Sequence, residues 1–193
     1  MKIIDISREL LSAPVYPGDR APVVTHVSDT SLGDAATVSE ISACLHNGTH
    51  LDAPCHFFPG ADDVTAYPLD TLCGECFVVE ANGVLTGEEM ENILARRVGI
   101  ERLLLKGDAT LSQSAAFALC DAGLRLVGVE GTSVAAAAET AVVHRKLLAE
   151  PIAVLENLDL SSVSEGWYLL FAAPVKIAGA DGAPVRALLL ERN

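Results

Sequence analysis

From position 46 the chain reads His46-Asn47-Gly48-Thr49-His50-Leu51-Asp52-Ala53-Pro54-Cys55-His56, which places three of its five histidines within eleven residues. The spacing of His46 and His50 suits one face of a helix, but Asn-Gly-Thr is a poor helix interior. An extended chain is the better reading. His46, Gly48, His50, Asp52, Pro54 and His56 share one parity, so a strand would point all of them to the same face. At ~3.3 Å per residue a straight strand still separates His46 from Asp52 by about 20 Å. To meet at one centre the chain must bend, and Gly48 and Pro54 are where a strand bulges or breaks. Burying these groups unpaired would cost on the order of several kcal/mol for each charge or missing hydrogen bond. A divalent cation partners all of them at once. His and Asp donors favour Zn²⁺ first, with Mn²⁺ or Fe²⁺ also suited.

Two residues further along fit the same chemistry. His144 shares a helical face with Leu147 and Leu148, so it points toward the core. In Ile152-Ala153-Val154-Leu155-Glu156, Glu156 has the parity of Ile152 and Val154, which puts an acid on a buried strand face. Taken singly, either can also be read as half of a structural ion pair. Together they supply the imidazole and carboxylate that a second metal would need. His26, between Thr25 and Val27, has no partner pattern and reads as an ordinary strand residue. Cys73-Gly74-Glu75-Cys76 matches C-x-x-C, but one copy with no second pair is a weak zinc or redox signal.

Around these motifs the first half of the chain reads as strands. Residues 3–10, 23–27 and 37–45 have apolar, β-branched or alternating character, and turn formers crowd Pro14-Val15-Tyr16-Pro17-Gly18-Asp19. Residues 53–68 read as a long ordered loop. The second half alternates. Strands are predicted at 77–79, 103–105, 126–129, 152–155, 168–172 and 185–190. Helices follow the capping box at Thr86-Gly87-Glu88-Glu89, the cap at Ser112, and residues 142–148. This order predicts an α/β fold, a mixed sheet with helices packed on it. No composition break divides the chain, so residues 1–193 are expected to form one domain.

The composition limits the function. Thirteen Lys+Arg against 26 Asp+Glu give a net charge of −13 and a pI near 4.6. Such a chain repels phosphate backbones and anionic lipid, so neither nucleic acid nor membrane is an expected partner. Hydrophobic residues at 50% and charged residues at 20% are an ordinary globular balance. Charges interrupt every apolar run near the start, which fits neither a signal nor a transit peptide, and no run is long enough to span a bilayer. Five scattered cysteines then read as reduced, buried thiols in a cytoplasmic protein.

The stretch His46–His56 matches H-x-G-T-H-x-D-x-P-x-H at every fixed position, and by it the chain resembles the metal-dependent cyclase family that includes kynurenine formamidase and isatin hydrolase. Further likenesses are Asp5-Ile6-Ser7, Pro17-Gly18-Asp19, His144-Arg145-Lys146-Leu147-Leu148, Glu156-Asn157-Leu158 and Gly182-Ala183-Pro184-Val185-Arg186. The resemblance implies a swivelling β/β/α domain with a barrel-like sheet. It also implies a binuclear site, two Zn²⁺ per subunit or Mn²⁺ in some members. His46, His50 and Asp52 would hold one ion, with Asp52 bridging to a second ion held by His144 and Glu156. His56 would be the general acid/base. Homodimers or larger assemblies are implied as well. Three departures bear on substrate. Tyr16 stands where tryptophan is typical, Glu130 where aspartate is usual, and the link from Lys106 to Ser112 is short.

The expected activity is hydrolysis of a small amide, an arylformamide such as N-formylkynurenine or a cyclic lactam or imide. Metal ions lower the pKa of bound water from 15.7 to about 7, which yields the hydroxide nucleophile. Tyr16, Phe57 and Phe58 are expected to wall the pocket. Two rivals are a non-catalytic metal or small-molecule binding protein on the same fold, and a non-haem Fe(II) oxygenase built on His50, Asp52 and His144. The oxygenase leaves His46, His56 and Glu156 without a purpose.

Overall fold

The computed structural model describes residues 2–191. Its strands, in chain order, are β1 (Ile3–Asp5), β2 (Val23–Ser28), β3 (Val38–Ser42), β4 (His50–Asp52), β5 (Cys73–Glu80), β6 (Val84–Leu85) and β7 (Arg102–Lys106). They continue with β8 (Thr110–Leu111), β9 (Leu126–Val129), β10 (Ala153–Glu156), β11 (Gly166–Phe171), β12 (Gly182–Pro184) and β13 (Leu188–Glu191). Its α-helices are α1 (Leu69–Leu72), α2 (Gly87–Ala95), α3 (Gln113–Asp121) and α4 (Thr140–Leu148). Nine strands form one mixed sheet in the order β1-β13-β11-β5-β7-β9-β10-β4-β12. Strands β5, β7, β9 and β10 are mutually parallel, and the flanking pairs are antiparallel.

The central strands are apolar at nearly every position because both of their faces are covered. Phe77, Val79, Leu103, Leu105, Val127, Val129 and Val154 meet α2, α3 and α4 through Met90, Ile93, Leu119 and Leu147. The alternate residues Cys76, Val78, Leu104, Leu126, Ala153 and Leu155 enter a second core with Ile4, Ile6, Leu51, Leu170 and Leu189. Each fully buried Val or Leu contributes about 1.5–3 kcal/mol. The sheet curls around this second core. The chain leaving its edge strand β1 reaches the segment after β10, where Ser7 bridges Leu158 and Asp159 N–H donates to Ile6 C=O at 2.9 Å.

Local signals account for α2 and α3, whereas α4 and the short α1, the latter unexpected from the sequence, start without a side-chain cap. Thr86 and Glu89 form the expected capping box, and Ser112 caps α3 through Ala115 N–H. Three predicted strands are shorter than expected, the one at 37–45 keeping only Val38–Ser42. Residues 3–10 leave the ladder after Asp5, because the chain turns to pair Arg8 N–H with the Thr49 hydroxyl at 2.8 Å. Residues 185–190 do not form one strand. Gly182–Pro184 pairs with β4, and Leu188–Glu191 crosses to the opposite end of the sheet beside β1 and β11. No helix among the described residues is long and apolar enough to cross a membrane.

All five cysteines are free, and only Cys76 is fully buried, so the expectation of uniformly buried thiols is too strong. Cys73 and Cys76 lie three residues apart on β5, roughly 10 Å along a strand, too far for one disulfide or one metal. His26 is exposed on the β2–β3 hairpin, with Nδ1 3.0 Å from Ser39 Oγ.

Candidate metal centre

The predicted bend occurs at the predicted residues, with less strand than parity implies. Only His50–Asp52 forms a strand, and it pairs antiparallel with β10 so that His50 faces Glu156 and Asp52 faces Val154. Gly48 takes φ +63° and packs against Leu10, whose Cδ1 would lie 3.0 Å from an added Cβ. A side chain is excluded there by conformation and by space. Thr49 then ties the bend to the end of β10, donating to Asn157 C=O at 2.6 Å. Ala53 is still extended, and from Pro54 the chain breaks into a single 3-10 turn, Pro54–His56, that brings His56 back toward His46. The two rings lie 4.2 Å apart, centroid to centroid. Asn157, at φ +62°, turns the chain away directly after Glu156.

His50, Asp52 and Glu156 project from the sheet toward α4, which presents His144. All four are buried, at 1–3% exposure. Asp52 lies at the centre. Its Oδ1 is 2.9 Å from His46 Nδ1 and 3.4 Å from His50 Nε2, and its Oδ2 is 3.4 Å from His144 Nε2. Glu156 Oε1 lies 3.0 Å from His144 Nε2, and Oε2 lies 3.4 Å from His50 Nε2. Two groups therefore converge around Asp52, one of His46, Asp52 and His56, the other of His50, Asp52 and Glu156. Within each, one donor atom per residue lies within 4.8 Å of the others.

The hydrogen bonds behind the imidazoles test whether a metal suits the site. His50 Nδ1 is 2.9 Å from Gly48 C=O, and His144 Nδ1 is 2.7 Å from Thr140 C=O. A carbonyl only accepts, so both Nδ1 atoms carry hydrogen and donate. In the neutral rings both Nε2 lone pairs then face Asp52 and Glu156. His50 Nε2 is fully buried and makes no hydrogen bond. Lone pairs aimed at carboxylates are repulsive unless a cation separates them. Backbone carbonyls that fix ligand tautomers from behind are a regular feature of metal sites. The donor set fits a divalent ion.

Without an ion, protons fill that role. Burial opposes charge on His50, but the Asp52 and Glu156 carboxylates outweigh it and push the imidazole up to about 10. His144 follows the same balance, raised to about 8 chiefly through Glu156, and His46 is raised through Asp52. Burial would lift Asp52, but His46 and His50 hold its carboxyl well below the usual carboxylate range. Burial and the Asp52 charge would lift Glu156, yet His144 and His50 bring it below its ordinary value.

The centre opens into a cavity of about 400 Å³. Tyr16 and Phe57 line it together with Asp19, Thr132 and Ser133. Phe57 also stacks on His144, with ring centroids 5.0 Å apart. Phe58 is the exception among the expected walls. It packs on the helix-side core and does not line the cavity.

A family model, Cyclase, described as "Putative cyclase", matches residues 4–136. The chain is 32% identical over 205 residues to a kynurenine formamidase of Maricaulis maris (strain MCS10), covering 98% of each chain. It belongs to the Cyclase family. A solved structure described as "The Structure Of Potential Metal-Dependent Hydrolase With Cyclase Activity" superposes at a TM-score of 0.83 with 28% identity, over 100% of this chain and 98% of the other. An isatin hydrolase bound to thioisatinate shares the fold at a TM-score of 0.86 with 18% identity, over 100% of this chain and 93% of the other.

One residue of this Cyclase-family centre escapes sequence reasoning. Asp181, just before β12, places Oδ2 3.2 Å from His46 Nε2 and 3.3 Å from His56 Nδ1. It lies 125 residues beyond His56, outside any spacing pattern. Its neighbour Gly182 is the available signal, since a Cβ there would meet His46 Cε1 at 2.7 Å.

Proposed function

We propose that this chain is a metal-dependent hydrolase of a small amide, of the arylformamide or cyclic lactam type. The observation that carries the reading is the orphaned His50 Nε2, buried between two carboxylates with its tautomer fixed from behind. His46, His50 and Asp52 would hold one divalent ion, and Asp52, His144 and Glu156 a second, with zinc as the preferred metal and manganese as the alternative. Such ions supply an acidified water and polarise a carbonyl.

The chain's own residues supply the rest. Tyr16 and Phe57 give a flat aromatic substrate two walls, in a cavity of about 400 Å³ that suits one small ring system. His56 stands at the cavity rim, half-exposed and not enclosed by carboxylates as His50 is, where it can hand a proton to the departing nitrogen. The kinship to a kynurenine formamidase over 98% of the chain supports an acyclic formamide. The test is a panel of N-formylkynurenine, isatin, lactams and lactones with Zn²⁺ and Mn²⁺. Chelator-sensitive turnover is expected, and silence across the panel would favour a binding protein. His56→Ala should keep its metal and lose about 10²–10⁴-fold in kcat. Full activity in that variant removes His56 from the reaction.

We also propose a homodimer. The β2–β3 hairpin stands apart from the main sheet, and its cross-strand pair Val24 and Ile41 is 41% and 56% exposed. A two-stranded ribbon is marginal alone, and exposed apolar patches mark association surfaces. Light scattering at micromolar concentration should give twice the chain mass, falling to one with Val24→Lys plus Ile41→Lys. A monomeric wild type would refute it.

A further inference from the structure

Asp181 belongs to neither carboxylate of the proposed metal pair, yet it touches both histidines on the open side of the site. A single oxygen, Oδ2, lies 3.2 Å from His46 Nε2 and 3.3 Å from His56 Nδ1. An ionised carboxylate only accepts, so both ring nitrogens must donate to it. His46 Nδ1 faces the Asp52 carboxylate in the same way at 2.9 Å, so the metal-free ring donates from both nitrogens; with Nε2–H held by Asp181, Nδ1 is the nitrogen left to bind a metal in place of its hydrogen. His56 carries hydrogen on Nδ1, which leaves Nε2 as its basic atom. We propose that Asp181 is a shared positioning residue, setting with one oxygen the tautomer of a metal ligand and that of the acid/base histidine.

The backbone holds Asp181 to this task. Its carbonyl accepts from Ala53 N–H at 2.9 Å, which joins it to the turn carrying His56. Gly182 clears space for the His46 ring, where a Cβ would also lie 3.0 Å from Leu51 C=O. A purely structural ion pair is the competing account. With the Asp181 side chain 48% exposed, such a pair contributes little to stability. Its geometry serves orientation, as the carboxylate behind a catalytic histidine does in hydrolytic triads.

The role at His56 rests on the hydrolase reading, whereas the tautomers and the metal affinity do not. The experiment is ¹⁵N NMR of histidine-labelled, zinc-loaded protein at about pH 8, where an unperturbed imidazole is neutral. Wild type is compared with Asp181→Ala, Asp181→Asn and Asp181→Glu. In wild type, His56 should carry its hydrogen on Nδ1, and in Asp181→Ala it should revert to Nε2. Zinc affinity should fall about 10–100-fold in the Ala and Asn variants, with partial rescue by Glu. Melting temperatures should change little, and kcat should fall with KM nearly unchanged. A wild-type His56 hydrogen on Nε2, or tautomer and zinc affinity both unmoved by Asp181→Ala, overturns the proposal. If the wild type hydrolyses none of the amides, the hydrolase reading fails, while the NMR and zinc results still decide Asp181.

Discussion

Thr49 shows how one hydroxyl can hold two ligand-bearing segments in register. It donates to Asn157 C=O at 2.6 Å and accepts from Arg8 N–H at 2.8 Å. Thr49→Val keeps the shape and strands both backbone groups, so we expect a loss of about 1–3 kcal/mol, read from urea unfolding. The imidazoles make a second prediction. Metal ligation needs neutral rings, yet His144 is raised to about 8 and His50 to about 10 in the metal-free protein. Zinc binding near pH 7 must therefore expel protons, and affinity must rise with pH. Calorimetry in buffers of different ionisation enthalpy should show this release. It should shrink above about pH 8, where His144 has already given up its proton. A buffer-independent enthalpy near neutrality would contradict the charge arrangement.

At the scale of elements, the site lies where the parallel strands end. Glu156 is the last residue of β10, Thr132 and Ser133 follow β9, and α4 begins nearby with His144 one turn inside. Ligand sites outside the carboxyl ends of parallel strands are a general property of α/β sheets. The position of β9 in this row depends on Gly128. A Cβ there would meet Leu104 Cδ2 at 2.5 Å and Leu158 Cδ1 at 2.9 Å. Gly128→Ala should cost about 1–3 kcal/mol by overpacking, seen as a lower midpoint in denaturant with an unchanged slope. Because Leu158 follows the Glu156-Asn157 bend, the same variant should weaken metal binding. Full metal content with lowered stability would uncouple the core from the site.

At the scale of the molecule, the proposed ions would tie together α4, β10, β4 and the turns around it. Metal at 100 times its dissociation constant stabilises the native state by about 2.7 kcal/mol. For a chain of this size that corresponds to a rise of roughly 5–11 °C in Tm. Scanning calorimetry with and without chelator should show this difference, and equal midpoints would mean that no ion is held. Helices α2, α3 and α4, the central strands and the candidate ligands were legible in the sequence, because a capping box, a serine cap, short apolar runs and histidine spacing are local signals. His50 with Asp52, the bend at Gly48, and the burial of His144 and Glu156 could all be read from neighbours within a few residues. Other features came only from the tertiary structure. The split of residues 182–191 between two ends of the sheet depends on which edges the curled sheet leaves open for pairing. The departure of Phe58 from the cavity depends on packing against helices distant in sequence. Asp181 reaches His46 and His56 through a contact spanning more than a hundred residues. Local chemistry is written in the order of residues, whereas long-range partners are chosen by how the sheet closes around its core.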